Sequence, residues 1–235
     1  MGDESGVTAT RITERVDRRA FLVGGAGLAL PFLATTQAFA APSGVPASGQ
    51  VGFKVYRKGS PIGEHRLKFD QDGDSLTVTT DVHILVKLGP VPVYHFTQHV
   101  VERWRGDRFM SLDSTASTQT SHDKVTVRRT ADGIHVEPSG DDPYTVPEIY
   151  PLTHWNPRVY QSGVLFNPKD GKAQKVALAA RTDDTVKLND GSSIHATRYA
   201  VTGDSVMDEY YDAQGVWSGM HSRVQDGSYV DYRRL

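Results

Sequence analysis

His65 and Glu102 lie near the turns of two predicted strands that we expect to be neighbours, with Glu64 and Trp104 beside them in the sequence. An imidazole beside a carboxylate can take up and return a proton near neutral pH, so this pair is a candidate for acid–base chemistry or for anchoring a ligand in a barrel mouth. The same residues would also suit an exposed hairpin, in which unlike charges pair across strands. We favour the hairpin, because acid–base catalysis needs a cavity that a sequence does not reveal.

Other patterns that carry chemistry are weak or missing. The chain has no cysteine, no Gly-x-Ser-x-Gly elbow and no glycine-rich loop that opens a helix, which argues against the usual nucleophiles and phosphate cradles. His95 and His99 would share one face of a helix, but on a strand four residues span ~13 Å, too far for one metal ion. Alternation dominates this segment, so we predict neither a metal site nor any other cofactor there.

The aromatic residues are the second group of candidates. They could fill the core of a small barrel, which is the commoner arrangement, or line a cavity that holds one small apolar ligand. The ligand-binding candidates are Trp104, Trp155, Tyr199, Tyr211 and Trp217.

Strands must position all of these residues, because apolar and polar side chains alternate along most of the chain. The clearest case runs from Leu76 to Leu88, and the segments Val93 to Trp104 and Phe109 to Thr120 follow it. Such alternation is typical of strands with one buried face. Turn signals every ~8–12 residues predict an antiparallel meander that forms a barrel, half-barrel or sandwich.

The segment from Asp141 to Pro168 breaks this pattern. It holds five of the twelve prolines, and prolines at this density interrupt both helices and ladders. We predict a crossover that packs on the sheet through its aromatic residues or closes one end of a barrel. A short helix from Thr153 to Tyr160, with Thr153 as its N-cap, would fit there.

The N-terminus predicts export. Arg18 and Arg19 precede Phe21 and Leu22 and a weakly apolar stretch that contains glycines and a proline, as in twin-arginine signals. Ala38-Phe39-Ala40 supplies small residues for cleavage between Ala40 and Ala41. The stretch is shorter than the ~20 apolar residues of a spanning helix. We therefore expect a signal over residues 1–40, a disordered lead-in over 41–50, one β domain over 51–235, and no stable membrane insertion after cleavage.

Charge and cysteine content narrow the possible partners. The net charge is −2, which argues against nucleic acid as a partner. Without cysteine the chain cannot hold disulfides, iron–sulfur clusters or cysteine-ligated zinc. The expected partners are the twin-arginine translocation machinery and a small apolar ligand or lipid in the periplasm.

Short motifs are spread over most of the chain: Phe53-Lys54-Val55, Gly59 to His65, Tyr94, Glu102-Arg103-Trp104, Trp155-Asn156, Arg198-Tyr199 and Tyr211 to Gly215. In this order they resemble an uncharacterised family of exported bacterial β proteins, many of which carry twin-arginine signals. Loosely, the chain is also similar to half-barrel envelope families and lipoprotein carriers. The resemblance implies a fold and a location, and no catalytic residues.

Three functions follow from these features. The leading hypothesis is a periplasmic barrel or half-barrel that binds or carries an apolar or amphipathic small molecule or a lipid. The second is a cofactor-free hydrolase or isomerase that uses a pair such as His65 with Glu102. The third is a structural or interaction protein of the envelope that docks through an exposed strand edge.

Replacing Arg18 and Arg19 together by Lys tests the export signal. We expect the variant to stay in the cytoplasm, because the arginine pair is what the twin-arginine route recognises. Immunoblotting of cytoplasmic and periplasmic fractions measures this. Undiminished export of the double variant would contradict the prediction.

Overall fold

A computed structural model describes residues 44–224 and 226–235. They form one sheet of 15 strands. The residues of the predicted signal and its cleavage position, Arg18, Arg19, Ala40 and Ala41, lie outside the described part. The strands are β1 Gln50–Arg57, β2 Ser60–Asp72, β3 Ser75–Leu88, β4 Val91–Arg105, β5 Arg108–Thr118, β6 His122–Thr130, β7 Gly133–Pro138, β8 Tyr144–Val146, β9 Tyr150–Pro151, β10 Val164–Phe166, β11 Ala173–Lys187, β12 Ser193–Gly203, β13 Met207–Tyr211, β14 Trp217–Arg223 and β15 Tyr229–Arg234.

The sheet consists of two meanders joined where the first strand pairs with the last. Its order is β8-β7-β6-β5-β4-β3-β2-β1-β15-β14-β13-β12-β11-β10-β9. Its pairs are antiparallel except for β9 with β10. The predicted all-β architecture is confirmed, and of the barrel, half-barrel or sandwich that alternation allowed, the structure shows a single sheet that is not closed.

The two edge strands are close in sequence, and this forces the sheet to curl. Only residues 147–149 separate β8 from β9, and four Cα steps reach at most ~15 Å. The sheet must therefore bend round almost to a barrel, yet β8 and β9 are not paired. Pro147 follows β8 directly and Pro151 ends β9. Neither has an N–H to donate to a ladder, which explains why the seam stays open.

Inward-facing side chains of the strands form the main core. Phe53, Leu112 and Val127 are fully buried there, and the residues directly before and after each of them are less buried and face outward, as a pleated strand requires. The core is completed by a segment that is not strand for most of its length, residues 147–163, which we call the strap.

The strap closes one end of the curled sheet. Its Ile149, Trp155 and Tyr160 are almost completely buried in the main core. Trp155 packs edge-on against Phe69, with ring centroids 5.6 Å apart, and against Trp104, at 5.5 Å. The predicted crossover therefore fills one end of the curled sheet, which we call the strap end. The β2–β3 turn lies at this same end. The β3–β4 turn lies at the opposite end.

Two boundaries differ from the sequence predictions. The helix is a 3-10 helix, Pro157–Ser162, capped by Asn156, whose side chain accepts from the N–H of Arg158. A proline at its first position suits a helix start, so Thr153 is not the cap. In addition, turn and alternation signals predict two strands, Gln174–Ala179 and Thr185–Leu188, where the structure has one, β11. An irregularity between Leu178 and Ala180 interrupts its alternation, which made it look like two.

Among the described residues, no helix is long and apolar enough to cross a membrane.

Replacing Trp155 by Ala tests the strap as part of the core. We expect the free energy of unfolding to fall by about 3–5 kcal/mol, because a large buried side chain is lost and a cavity remains. Urea denaturation measures it, with the half-exposed Tyr229 replaced by Ala as the control. A loss no larger than that of the control would show that the strap is not part of the stable core.

Candidate functional site

Two carboxylates lie in the interior with no exposed surface, Glu102 on β4 and Glu209 on β13. Alternation places both on the inner face, since Glu102 lies between Val100 and Trp104 and Glu209 lies between Met207 and Tyr211. Buried carboxylates are costly unless hydrogen bonds satisfy them. In this chain three consecutive strap residues, Thr153, His154 and Trp155, supply much of that satisfaction.

Glu102 is held by two indoles. Trp104 Nε1 donates to its Oε2 at 3.0 Å, and Trp155 Nε1 donates to both oxygens at 3.2 and 3.3 Å. A side-chain hydrogen bond from Thr153 adds to these. Burial nevertheless dominates and raises the pKa of Glu102 from 4.5 to about 7, against the opposing effect of the hydrogen bonds and of His154.

Glu209 is held by a histidine and a tyrosine. His154 Nδ1 lies 2.6 Å from Oε1, and Tyr160 Oη donates to the same oxygen at 3.2 Å. The backbone of His154 has φ of 70°, a conformation that is uncommon outside glycine and is often found at functional sites. Tyr211 Oη fixes it by donating to the His154 carbonyl at 2.6 Å.

His65 completes this region from β2. Its ring centroid lies 5.1 Å from that of Trp217 and 6.2 Å from that of His154, which stacks on Trp217 at 5.1 Å. Burial, with a smaller effect of His154, holds the pKa of His65 well below its usual range. The ring therefore stays neutral near pH 7. We call His65, His154, Glu209 and Trp217 the histidine cluster.

Three polar atoms of the histidine cluster have no hydrogen-bond partner among residues 44–224 and 226–235. They are His65 Nε2, Glu209 Oε2 and Trp217 Nε1, all buried. Together they offer an indole donor, a carboxylate acceptor and a neutral imidazole nitrogen that can donate or accept, depending on the tautomer. The cluster can thus bind a polar group, and the His154–Glu209 pair can exchange a proton.

The cluster is not an evident metal centre. Within the described ranges, no three His, Cys, Asp or Glu residues are placed to share a metal ion. His95 and His99 lie on the exposed face of β4, where His99 Nδ1 contacts Asp81 Oδ1 at 2.7 Å.

The predicted pair of His65 and Glu102 does not form in this structure. His65 lies on β2 and Glu102 on β4, so β3 separates them and they are not on adjacent strands. Each contacts a different part of the strap: His65 packs near His154, and Glu102 accepts from Trp155.

The five aromatic candidates pack in the interior. Trp104, Trp155, Tyr211 and Trp217 are buried in the main core, and the half-buried Tyr199 packs against Tyr211 at 5.0 Å. Only Trp217 belongs to the histidine cluster.

Sequence reasoning missed His154, Tyr160 and Glu209. His154 and Tyr160 lie in the proline-rich segment, where no periodicity assigns a side chain to a face. Glu209 did carry a signal, since a glutamate at an inward position between Met207 and Tyr211 is expected to be buried and paired.

Two surface grooves lie outside the histidine cluster. One of about 560 Å³ is lined mainly by outward-facing residues that include Arg66, Lys68 and Asp81, and one of about 420 Å³ lies beside Trp104 and Arg158 at the strap end.

Glu102→Gln tests the effect of its burial. Between pH 4.5 and 7 the folded state keeps a proton that the unfolded state has released, so this carboxyl lowers stability as pH rises. Gln does not titrate. We expect the stability of the variant relative to wild type to increase by up to ~3 kcal/mol from pH 4.5 to 8.

Chemical denaturation at several pH values measures this difference in stability between the variant and wild type. Because His65 is present in both proteins, its titration cancels from the difference. The exposed Glu137→Gln serves as control and should give a flat difference. A flat difference for Glu102→Gln as well would contradict the raised pKa.

Comparison with known proteins places the chain in a family. No curated protein matches it. The crystal structure of a β-barrel-like protein of domain of unknown function DUF1849 from Brucella abortus is similar in fold, with a TM-score of 0.52 and 10% identity over 79% of this chain and 95% of that chain. The model of the domain of unknown function DUF6134 matches residues 53–235. The chain therefore belongs to the DUF6134 family.

Proposed function

We propose that this protein binds an amphipathic small molecule, whose polar group contacts the histidine cluster and whose apolar part lies toward the end opposite the strap. The observation that carries the proposal is the set of three buried atoms without partners, His65 Nε2, Glu209 Oε2 and Trp217 Nε1. A buried polar atom left unpaired costs ~1–3 kcal/mol. Three in one cluster are better explained by a polar group that binds there than by a purely structural role.

The chemistry of the three atoms favours a hydroxyl or primary amide. Such a group can donate to Glu209 Oε2 and accept from Trp217 Nε1 at the same time, and the neutral His65 can serve as either partner. An anionic head group would meet the Glu209 side chain, so we favour an uncharged one. The rings of the cluster pack directly against one another, with centroids 5–6 Å apart, so the group that contacts their polar atoms must be small.

An apolar surface adjoins the cluster. Val55, Val82 and Ile84 form a second buried group on the inner face, with further apolar residues packed against it, and we call the whole set the upper cluster. Tyr232 links the two sites, since it packs in the upper cluster and its ring lies 5.7 Å from that of His65. The packed residues are Ile62, Val86, Phe96, Val230 and Tyr232.

Differences in packing between the two ends of the sheet indicate where the apolar part of a ligand would lie. At the strap end Trp104 packs against both Phe109 and Trp155, so the interior there is occupied by the protein's own side chains. Toward the opposite end burial decreases, from Ile84, 8% exposed, to the half-buried Phe96 and then Tyr94, 42% exposed. The apolar part of a ligand would therefore enter from that end.

Export remains part of the proposal. The arginine pair of the N-terminus suggests that the domain crosses the membrane folded, and a β domain that already encloses its binding site is consistent with that route.

A second candidate is acid–base catalysis. The pair of His154 Nδ1 and Glu209 Oε1, 2.6 Å apart, has the arrangement in which a carboxylate orients an imidazole that exchanges protons. It would replace the pair of His65 and Glu102 in the hydrolase or isomerase hypothesis. Its substrate would occupy the same site as the proposed ligand.

Binding of monomyristoylglycerol below its critical micelle concentration tests the ligand proposal. We expect saturable 1:1 binding, and native mass spectrometry measures it. Trp217→Phe should weaken it at least about fivefold, because the indole N–H is lost together with part of the ring and one neutral hydrogen bond is worth ~1 kcal/mol. Myristic acid should bind less tightly than the uncharged lipid.

Trp104→Phe is the matched control, because it replaces an indole by a phenyl ring at the strap end, away from the histidine cluster. It should lower stability and leave the affinity unchanged. Absence of saturable binding, or equal weakening by both variants, would exclude the histidine cluster as the site.

A further inference from the structure

The β3–β4 hairpin projects beyond its neighbours. The last β3 residue paired with β2 is Ile84, and the first β4 residue paired with β5 is Phe96. Between them, residues 85–95 pair only with one another. This two-stranded ribbon, which we call the β3–β4 ribbon, lies at the end opposite the strap. A ribbon of two strands without a sheet to pack on is marginally stable in water.

Large apolar side chains cover both faces of this ribbon. Along β3, Val86 and Leu88 continue the inner face and Leu85 lies on the outer face, and Val93 and Tyr94 likewise alternate on β4. Five of the ten exposed large hydrophobic residues of the described chain lie in these eleven residues. Their exposures are Leu85 42%, Leu88 76%, Val91 57%, Val93 52% and Tyr94 42%.

The β11–β12 hairpin, which is also long, has a polar turn. The β11–β12 turn, at the strap end, reads Asn189-Asp190-Gly191-Ser192. It is also tied back to the sheet, because Tyr56 Oη donates to the side chain of Asn189 and the Asn189 N–H donates to the carbonyl of Arg234. The apolar character of the β3–β4 ribbon is therefore not a general property of hairpins in this protein.

We propose that the tip of the β3–β4 ribbon inserts into the surface of an anionic lipid bilayer. A rigid protein surface would cover one face of the ribbon, whereas a fluid apolar phase covers both. From Leu88 back to Leu85 the strand rises ~10 Å, which matches the 5–10 Å depth to which interfacial segments enter a bilayer. The contact is peripheral and spans nothing.

Backbone and charge both suit this contact. Pro90 and Pro92 lack N–H groups, so the tip exposes fewer unpaired donors to an apolar phase, where each would be costly. No acidic residue occurs between Asp81 and Glu102, and Lys87 is the one Lys or Arg in that interval. Lys87 and the exposed Tyr94 are residue types that favour the headgroup region of a bilayer.

Vesicle co-sedimentation of the chain without its predicted signal, residues 41–235, tests the proposal. Vesicles of phosphatidylcholine with 30% phosphatidylglycerol should bind the protein, and pure phosphatidylcholine should bind it several-fold less because of Lys87. Leu88→Ser with Val91→Ser should reduce binding at least tenfold. Tyr94→Trp should show a blue shift of its fluorescence when anionic vesicles are added.

Leu235→Ser is the matched control, because Leu235 is as exposed as Val91, at 57%, and lies at the strap end. It should bind vesicles like wild type, and circular dichroism should show that all variants are folded. Absence of binding by wild type, or equal binding by the double variant, would overturn the proposal. So would dimerisation in the absence of lipid that the double variant abolishes, since a second copy would then cover the ribbon. None of these outcomes depends on the histidine cluster.

Discussion

The structure depends on two buried carboxylates that face the interior from separate strands and that both contact hydrogen-bonding side chains of one strap. Glu102 accepts from the indole of Trp155, and Glu209 contacts the imidazole of the preceding residue, His154. Because neighbouring residues reach two walls of the curled sheet, the strap is fixed at both sides. The buried carboxylates are then compatible with a stable core, since their hydrogen bonds offset part of the cost of removing them from water.

This arrangement makes the two ends of the sheet different. At one end the strap and the tryptophans fill the interior. At the other end the apolar inner face continues through the upper cluster to the exposed β3–β4 ribbon. The histidine cluster lies at the boundary, with polar atoms unpaired on one side and apolar residues on the other. A polar centre beside an apolar path is the arrangement that an amphipathic molecule complements. The family to which the chain belongs is defined as a domain of unknown function, so its assignment is compatible with this proposal.

Much of the fold was predictable, because alternation in segments such as Leu76 to Leu88 depends only on one buried face. The start of the helix could not be predicted in this way, because capping by Asn156 leaves no periodic signal. The continuity of β11 could not be predicted either, because a local irregularity interrupts its alternation. The site was harder still. His65 and Glu102 are both buried, but strand order puts β3 between them, and the partners that they meet come from the strap, whose conformation depends on tertiary contacts such as Tyr211 with the His154 carbonyl.

The claim that the histidine cluster binds a polar group is tested most directly by NMR of the imidazole nitrogens of His65. The account predicts that His65 stays neutral at pH 6.5, because burial lowers its pKa, and that its Nε2 resonance shifts when monomyristoylglycerol saturates the protein. A His65 that is half protonated at pH 6.5, or an Nε2 resonance that does not move at saturation, would contradict it.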